Sequence, residues 1–366
     1  MGMRYQRGWR GLAVGLAMIV LAGCGGTGSN SGQSSRLKVA FMSTSPANDG
    51  GWSQVAFEGM QAMLQTIGSD KVEATFVPSV PYSTQLTDTA NHLIAQGYNV
   101  LVDDIGARDF FYKACQAHPT VKCEEVSGTE PFPSANIHGF YADLAFPSYM
   151  VGEAAGLLTK TGTVGYLAPF TIPIVNSGLN AFALGCQHVR PDCKVRVVVT
   201  NSWYAPPQEV EAANSLVAAG ADFLWGQMDD TSLEQVATQK NVWVAGMWKD
   251  QNSFAPNNYA TGVVLDWNAY TTEMVKAVLD GTWTGGTHHL IAPGHGANLG
   301  AFGAKVPADV QARIKADWQA IIDGSNPFTG PILDQKGATK VASNDKLSHD
   351  YLTYQWDWIV KGVITG

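Results

Sequence analysis

Indole rings, carboxylates and amides recur where the predicted strands of this chain run out. The stretch after the first strand, Ser43 to Trp52, reads STSPANDGGW and offers Asn48, Asp49 and Trp52. Asp104 ends another strand, and Phe170, Trp203 and Trp248 follow three more. Asp266 and Trp267 follow a sixth candidate. Rings give planar stacking faces, while Asp and Asn give directed hydrogen bonds inside a mostly apolar pocket. That mixture suits a flat, nitrogen-rich, uncharged ligand better than an anion. A phosphate site wants Arg, Lys or a glycine-rich nest at a helix N-terminus. Asn48-Asp49-Gly50-Gly51 supplies the glycines, but its carboxylate repels an anion. Asp49 also stands where an N-cap belongs, just ahead of a helix starting at Trp52. Trp52 and Trp203 are the rings expected to stack on the ligand.

Catalytic patterns are missing. No nucleophile elbow, Ser-His-Asp set or phosphate loop occurs, and the reading is of a binding protein, with no enzyme activity and no cofactor. His288, His289 and His295 lie in a Gly/Pro-rich segment without Cys or acidic residues at ligand spacing, so a solvated loop is expected and no metal. Asp103-Asp104 and Asp229-Asp230 could form an acid/base pair, but each pair follows the equivalent strand of an internal repeat. Asp104 is the member expected to touch ligand.

The elements that position these residues alternate strand and helix. Leu37 to Met42 is strand, Trp52 to Ile67 an amphipathic helix, and Val72 to Val77 strand. Ser83 to Gln96 is helix, Asn99 to Val102 strand, Phe110 to Ala117 helix, and Val121 to Val126 and Ile137 to Tyr141 strands. This βα succession predicts a parallel sheet with helices on both faces. The order then repeats at an offset of about 120 residues. TVGYLA from Thr163 mirrors the first strand, Ile174 to Val189 the first helix, and Leu216 to Trp225 lines up with Leu93 to Val102. Two α/β lobes follow, with ligand between them at the carboxyl ends of the strands and closure by a hinge. The expected first lobe is 37–144 plus about 262–294. The second is 145–261 plus about 295–366. Crossings are expected between Asp143 and Gly156 and along Thr261 to Leu265. Gly330-Pro331 reads as a turn and Tyr351 to Val363 as a helix in a closing flap.

The N-terminus sets the compartment. Arg4, Arg7 and Arg10 precede an apolar run from Gly11 to Val20, the form of a secretory signal peptide. Leu21-Ala22-Gly23-Cys24 resembles a bacterial lipobox, which implies cleavage after residue 23 and lipid on Cys24. A spanning helix needs about 20 apolar residues, more than this run holds. Residues 24–36 read as a flexible Gly/Ser leash. Removing 23 of 366 residues leaves 343, and losing three Arg takes the net charge from −8 to −11. An acidic body argues against nucleic acid. The four other cysteines allow three pairings in an oxidising compartment. The local pairs Cys115 with Cys123 and Cys186 with Cys193 are favoured, each tying a helix end to the next strand; the rival zinc site lacks the spacing.

Several segments together resemble the basic-membrane-protein (Bmp) family. They are Asp49-Gly50-Gly51-Trp52, Gln96-Gly97-Tyr98, Tyr166 to Phe170 with Pro173, Asn180 to Gly185, Thr200 to Trp203, Gly330-Pro331-Ile332 and Trp356-Asp357-Trp358. The resemblance runs from about Leu37 to the end. It implies a type I periplasmic-binding fold and a periplasmic or surface lipoprotein of an ABC importer, of the purine-nucleoside-receptor type. A permease in the cytoplasmic membrane is the implied partner. In nucleoside-binding members an Asp after a late strand and a Lys after the crossing strand hold the ribose. Here those places read Met247-Trp248 and Leu265-Asp266-Trp267. Indoles where the ribose clamp belongs imply a smaller ligand, an adenine-like purine base or related heterocycle. A purine nucleoside binder, an exported sensor feeding a membrane receptor, and an exported nucleoside hydrolase are the alternatives.

Overall fold

Short strands buried on both faces, separated by one-sided helices, give this chain two sheets. The computed structural model describes residues 36–365. The segments read above as signal peptide and leash, Cys24 among them, lie outside the described residues up to residue 35. The first half holds β1 (Leu37–Met42), α1 (Trp52–Ile67), β2 (Val72–Val77), α2 (Thr84–Ala95) and β3 (Val100–Asp103). It continues through α3 (Arg108–Ala117), β4 (Lys122–Val126) and β5 (Ile137–Ala142). The second half opens with α4 (Ala145–Leu158), β6 (Thr163–Ala168), α5 (Pro173–Val189), β7 (Lys194–Val199) and α6 (Pro206–Ala218). There follow β8 (Phe223–Gly226), α7 (Ser232–Lys240), β9 (Trp243–Trp248) and β10 (Tyr259–Leu265). Then come α8 (Trp267–Leu279), β11 (His288–Ile291), β12 (Ala297–Leu299), α9 (Ala308–Ile322), β13 (Ile332–Leu333), β14 (Thr339–Val341) and β15 (Val363–Thr365).

The first sheet runs β11-β5-β4-β3-β1-β2 and is parallel throughout. The second runs β12-β10-β9-β8-β6-β7-β15 and is parallel apart from the β10–β12 pair. All four residues of β3 and of β8 are buried, as befits central strands with helices on both faces. Helix α1 turns Trp52, Val55, Met60 and Met63 inward at helical spacing. Helices α4 and α5 meet without room for side chains: a Cβ on Gly152 would lie 2.1 Å from the Phe182 carbonyl oxygen. The result is two mostly parallel sheets flanked by helices, the α/β architecture that the resemblance implies.

The chain leaves the first sheet after Ala142. The second crossing differs from expectation. Thr261 to Leu265 belongs wholly to the second sheet, where Val263 and Val264 register with Met247 and Trp248. The change of half therefore comes at Asp266, and residues 262–265 move to the second half.

The tail also differs. Tyr351 to Gln355 forms one wide helical turn, and the chain then continues without helix, through a turn at Lys361-Gly362, into β15. Leu352, Trp356 and Val360 are fully buried at four-residue spacing, a helix-like pattern filled by a non-helical backbone. Tertiary bonds win: Asn180 donates to the Trp358 carbonyl at 2.8 Å and accepts from the Val360 amide at 3.0 Å. His288 and His289 lie on edge strand β11 rather than in a loop, with His288 Nδ1 2.5 Å from Glu130 Oε2. Disulfides join Cys115 to Cys123 and Cys186 to Cys193, with Cα–Cα distances of 6.3 and 6.0 Å.

Candidate ligand-binding cleft

Strand ends from both halves converge on one cavity. From the first half, β1 delivers Ser43, whose hydroxyl donates to Asp104 Oδ2 at 2.8 Å and lies 2.7 Å from Ser53 Oγ. Asp104 follows β3, and its main-chain oxygen accepts the Trp52 indole N–H at 2.9 Å. One indole thus pins the turn that carries the carboxylate. The second half repeats the device. Trp248, at the end of β9, donates its indole N–H to the Met228 carbonyl at 2.9 Å, one residue before Asp229. It does so from φ +75°, a backbone state that costs a bulky residue energy and here turns the ring inward. The Asp229 amide in turn donates to the Trp203 carbonyl at 3.0 Å.

Trp52, Asp104, Tyr141 and Thr44 line the cavity from one side, and Trp203, Asp229, Trp248 and Ile174 from the other. Ile105, Val126 and Ser127 complete it. The space open to water is about 50 Å³, with no Lys, Arg or His in the lining. Both carboxyls are nearly inaccessible, at 3% exposure each. Burial pushes Asp104 well above the usual carboxylate range, and the neighbouring Asp103 and Asp49 add to it. Burial does the same to Asp229, helped by Asp49, Asp104 and Glu209. Their neighbours in sequence serve the backbone: Asp103 accepts the amides of Ile105 and Ala107, and Asp230 that of Ser232.

The halves touch along a seam beside the cavity. Gln251 donates to the Gly50 carbonyl at 3.0 Å and to the Asp230 carbonyl at 3.2 Å. Lys249 Nζ reaches Glu58 Oε1 at 2.7 Å. At Gly51 a Cβ would sit 2.5 Å from the Asp229 carbonyl oxygen, so glycine is what lets the seam shut.

Of the residues expected at the site, Trp52, Asp104, Trp203 and Trp248 come together on the cavity wall. Phe170 stands behind Trp203, ring centroids 5.7 Å apart. Trp267 lies beneath Trp52 at 5.7 Å, its indole nitrogen buried without a partner. Asp49 is an N-terminal cap: its carboxylate accepts from the amides of Gly51, Ser53 and Gln54 at 2.8 to 3.1 Å. Asn48 is exposed. Asp266 caps α8 through the Asn268 amide and lies on an outer groove with His289 and His295, away from the cleft. Among the described residues no group of three or more His, Cys, Asp or Glu is placed to hold a metal. Asp229 and Tyr141 were not anticipated. The repeat points to the Asp229-Asp230 pair after β8 as to Asp103-Asp104 at the end of β3, but not to which member of each pair faces the cavity. Tyr141 sits in an apolar strand and carries no separate signal.

A family model described as ABC transporter substrate-binding protein PnrA-like, the Bmp model, matches residues 36–293. The chain is 30% identical to a purine-binding protein of Brucella abortus over 90% of its own length and 93% of the relative's. It is 27% identical to a putative ABC transporter glucose-binding protein of Haloferax volcanii over 70% of its length, spanning 64% of that protein. An ABC transporter system solute-binding protein from Conexibacter woesei superposes with a TM-score of 0.62 at 22% identity, covering 79% of this chain and 97% of that one.

Proposed function

Since the chain belongs to the Bmp family of PnrA-like ABC transporter substrate-binding proteins, we propose that it captures a purine base between its two halves for delivery to an ABC permease. The observation that carries this is the cavity itself: three indoles and a phenol ring surround two carboxyls, with no cation in the lining. Planar faces accept a ring system by stacking, and carboxyl oxygens accept from ring N–H and amino groups. A phosphorylated ligand finds no counter-charge there. The space is small, and Trp248 and Trp267 fill positions where the family resemblance places a ribose clamp. A free base is favoured over a nucleoside on that ground. The purine-binding relative supports the same ligand class.

We further propose that the protein works outside the cytoplasmic membrane, tethered by lipid on Cys24 after removal of residues 1–23. The two buried disulfides fit an oxidising compartment. Mass spectrometry of the small molecule released on denaturing the purified protein tests the ligand class. Calorimetry with adenine, adenosine and glucose tests the choice within it. Tighter binding of adenosine than of adenine overturns the preference for a base, and tighter binding of glucose overturns the purine reading.

A further inference from the structure

Asp229 is 3% exposed, and its Oδ1 has no hydrogen-bond partner in the protein. A buried carboxyl oxygen left unpaired is costly, and such groups call for a physical reason. Its counterpart Asp104 is partly satisfied, because Ser43 donates to Oδ2. Around Asp229 the charged neighbours are other carboxyls, namely Asp49, Asp104 and Glu209. The cavity lining supplies no basic group to meet it. The peptide group that leads into it is nevertheless held at both ends, by the bond from the Asp229 amide to the Trp203 carbonyl and by the Trp248 indole at the Met228 carbonyl. An unsatisfied acceptor held in place on the cavity wall is what a donor-bearing ligand edge would complete.

Building on the purine reading, we propose that Asp229 is a specificity residue which accepts an N–H from the second edge of the ligand while Asp104 accepts from the first. The two carboxyls belong to opposite halves, so one ligand bridging them couples recognition to closure. The ligand class narrows accordingly to small heterocycles with N–H donors on two separate edges. Adenine qualifies through its exocyclic amine and its ring N9–H. A base alkylated at either edge loses one partner and leaves one carboxyl unpaired.

The test is calorimetry with adenine, 9-methyladenine and N6,N6-dimethyladenine on the wild type, Asp229→Asn and Asp104→Asn. Near-UV circular dichroism checks that each variant keeps its fold. Wild type should bind each methylated base about tenfold or more weakly than adenine. Asp229→Asn should shrink one of those two penalties, and Asp104→Asn the other. The inference is overturned if Asp229→Asn leaves both penalties unchanged, if both variants relax the same one, if the wild type shows no penalty, or if Asp229→Asn does not fold. Should the wild type bind no purine base at all, the purine reading fails with it, an outcome recognisable from the first titration.

Discussion

Trp52 and Trp248 meet edge to face across the seam, ring centroids 4.7 Å apart and planes at 77°. Each comes from a different half, and each spends its indole N–H on the main chain beside a cavity carboxyl. Aromatic pairs in this geometry contribute about 0.5–1.5 kcal/mol beyond area burial. Their contact joins the two halves, so on the proposed closure the pair would stabilise the closed form as well as wall the cavity. This differs from the simpler expectation of Trp52 as a free stacking face.

Trp203 remains half-buried and lines the cavity, the indole with most freedom to lie on a ligand. Base-on-aromatic contact is worth about 1–3 kcal/mol by alanine substitution. Trp203→Ala should weaken binding of the best ligand about 5- to 150-fold, read by calorimetry. Unchanged affinity removes Trp203 from the site.

Gly51→Ala places a methyl 2.5 Å from the Asp229 carbonyl, which cannot move without disturbing the carboxyl beside it. The clash arises only on closure. Apparent affinity scales with the fraction of molecules able to close. A drop of about tenfold or more is expected, with the melting temperature of the ligand-free protein nearly unchanged. Small-angle scattering should show the variant more open in the presence of ligand; equal compaction of variant and wild type would sink the idea.

Several buried carboxyls should make this protein less stable as pH rises through neutrality. Burial lifts Asp103 from 3.8 to about 7, and Glu125 and Glu234 from 4.5 to about 8. Each binds its proton more tightly folded than unfolded. The stability this brings is complete below the unfolded values and is lost as pH rises through about 7 to 8. Urea unfolding should therefore give a higher midpoint near pH 5.5 than near pH 8.5, and Glu234→Gln should flatten the difference. A midpoint that rises across that window contradicts the prediction.

The disulfides close short loops, separated by eight and seven residues. Chain-entropy scaling gives each about 2–3 kcal/mol. Cys115→Ser with Cys123→Ser should lower the unfolding free energy by that amount at pH 7. A loss well under 1 kcal/mol would mean that the unfolded chain is already constrained in this region.

Much of the fold was legible because local signals agree. β1, α1, β2 and β6 match their expected bounds residue for residue, each having strong periodicity and a clear stop. The tail was not, since Leu352, Trp356 and Val360 mimic helix spacing while Asn180 takes up the Trp358 carbonyl and the Val360 amide and the path past Gln355 is irregular. The site was legible in part. Indoles at strand ends stand out, and Trp52, Trp203 and Trp248 reach the cavity. Asp266 looked equivalent to them but caps a helix, a use of Asp that sequence cannot tell from ligand contact. Asp229 escaped through a shift of one residue. In the first Asp-Asp pair the second carboxyl faces the cavity and the first holds a turn; in the other pair the roles are exchanged. A side-chain assignment of that kind depends on where the strand ends, and β3 runs to Asp103 whereas β8 stops at Gly226.

Both sheets are finished by strands from far along the chain: β11 flanks β5, and β12 and β15 close the two rims of the other sheet. A polypeptide emerging N-terminus first therefore shows β5 as a bare edge until residue 288 arrives, and β7 waits until residue 363. Exposed parallel edges are templates for wrong pairing. Neither half is completed from one continuous piece: one sheet keeps an unfinished edge until residues 288–291 have been made, the other until residues 363–365.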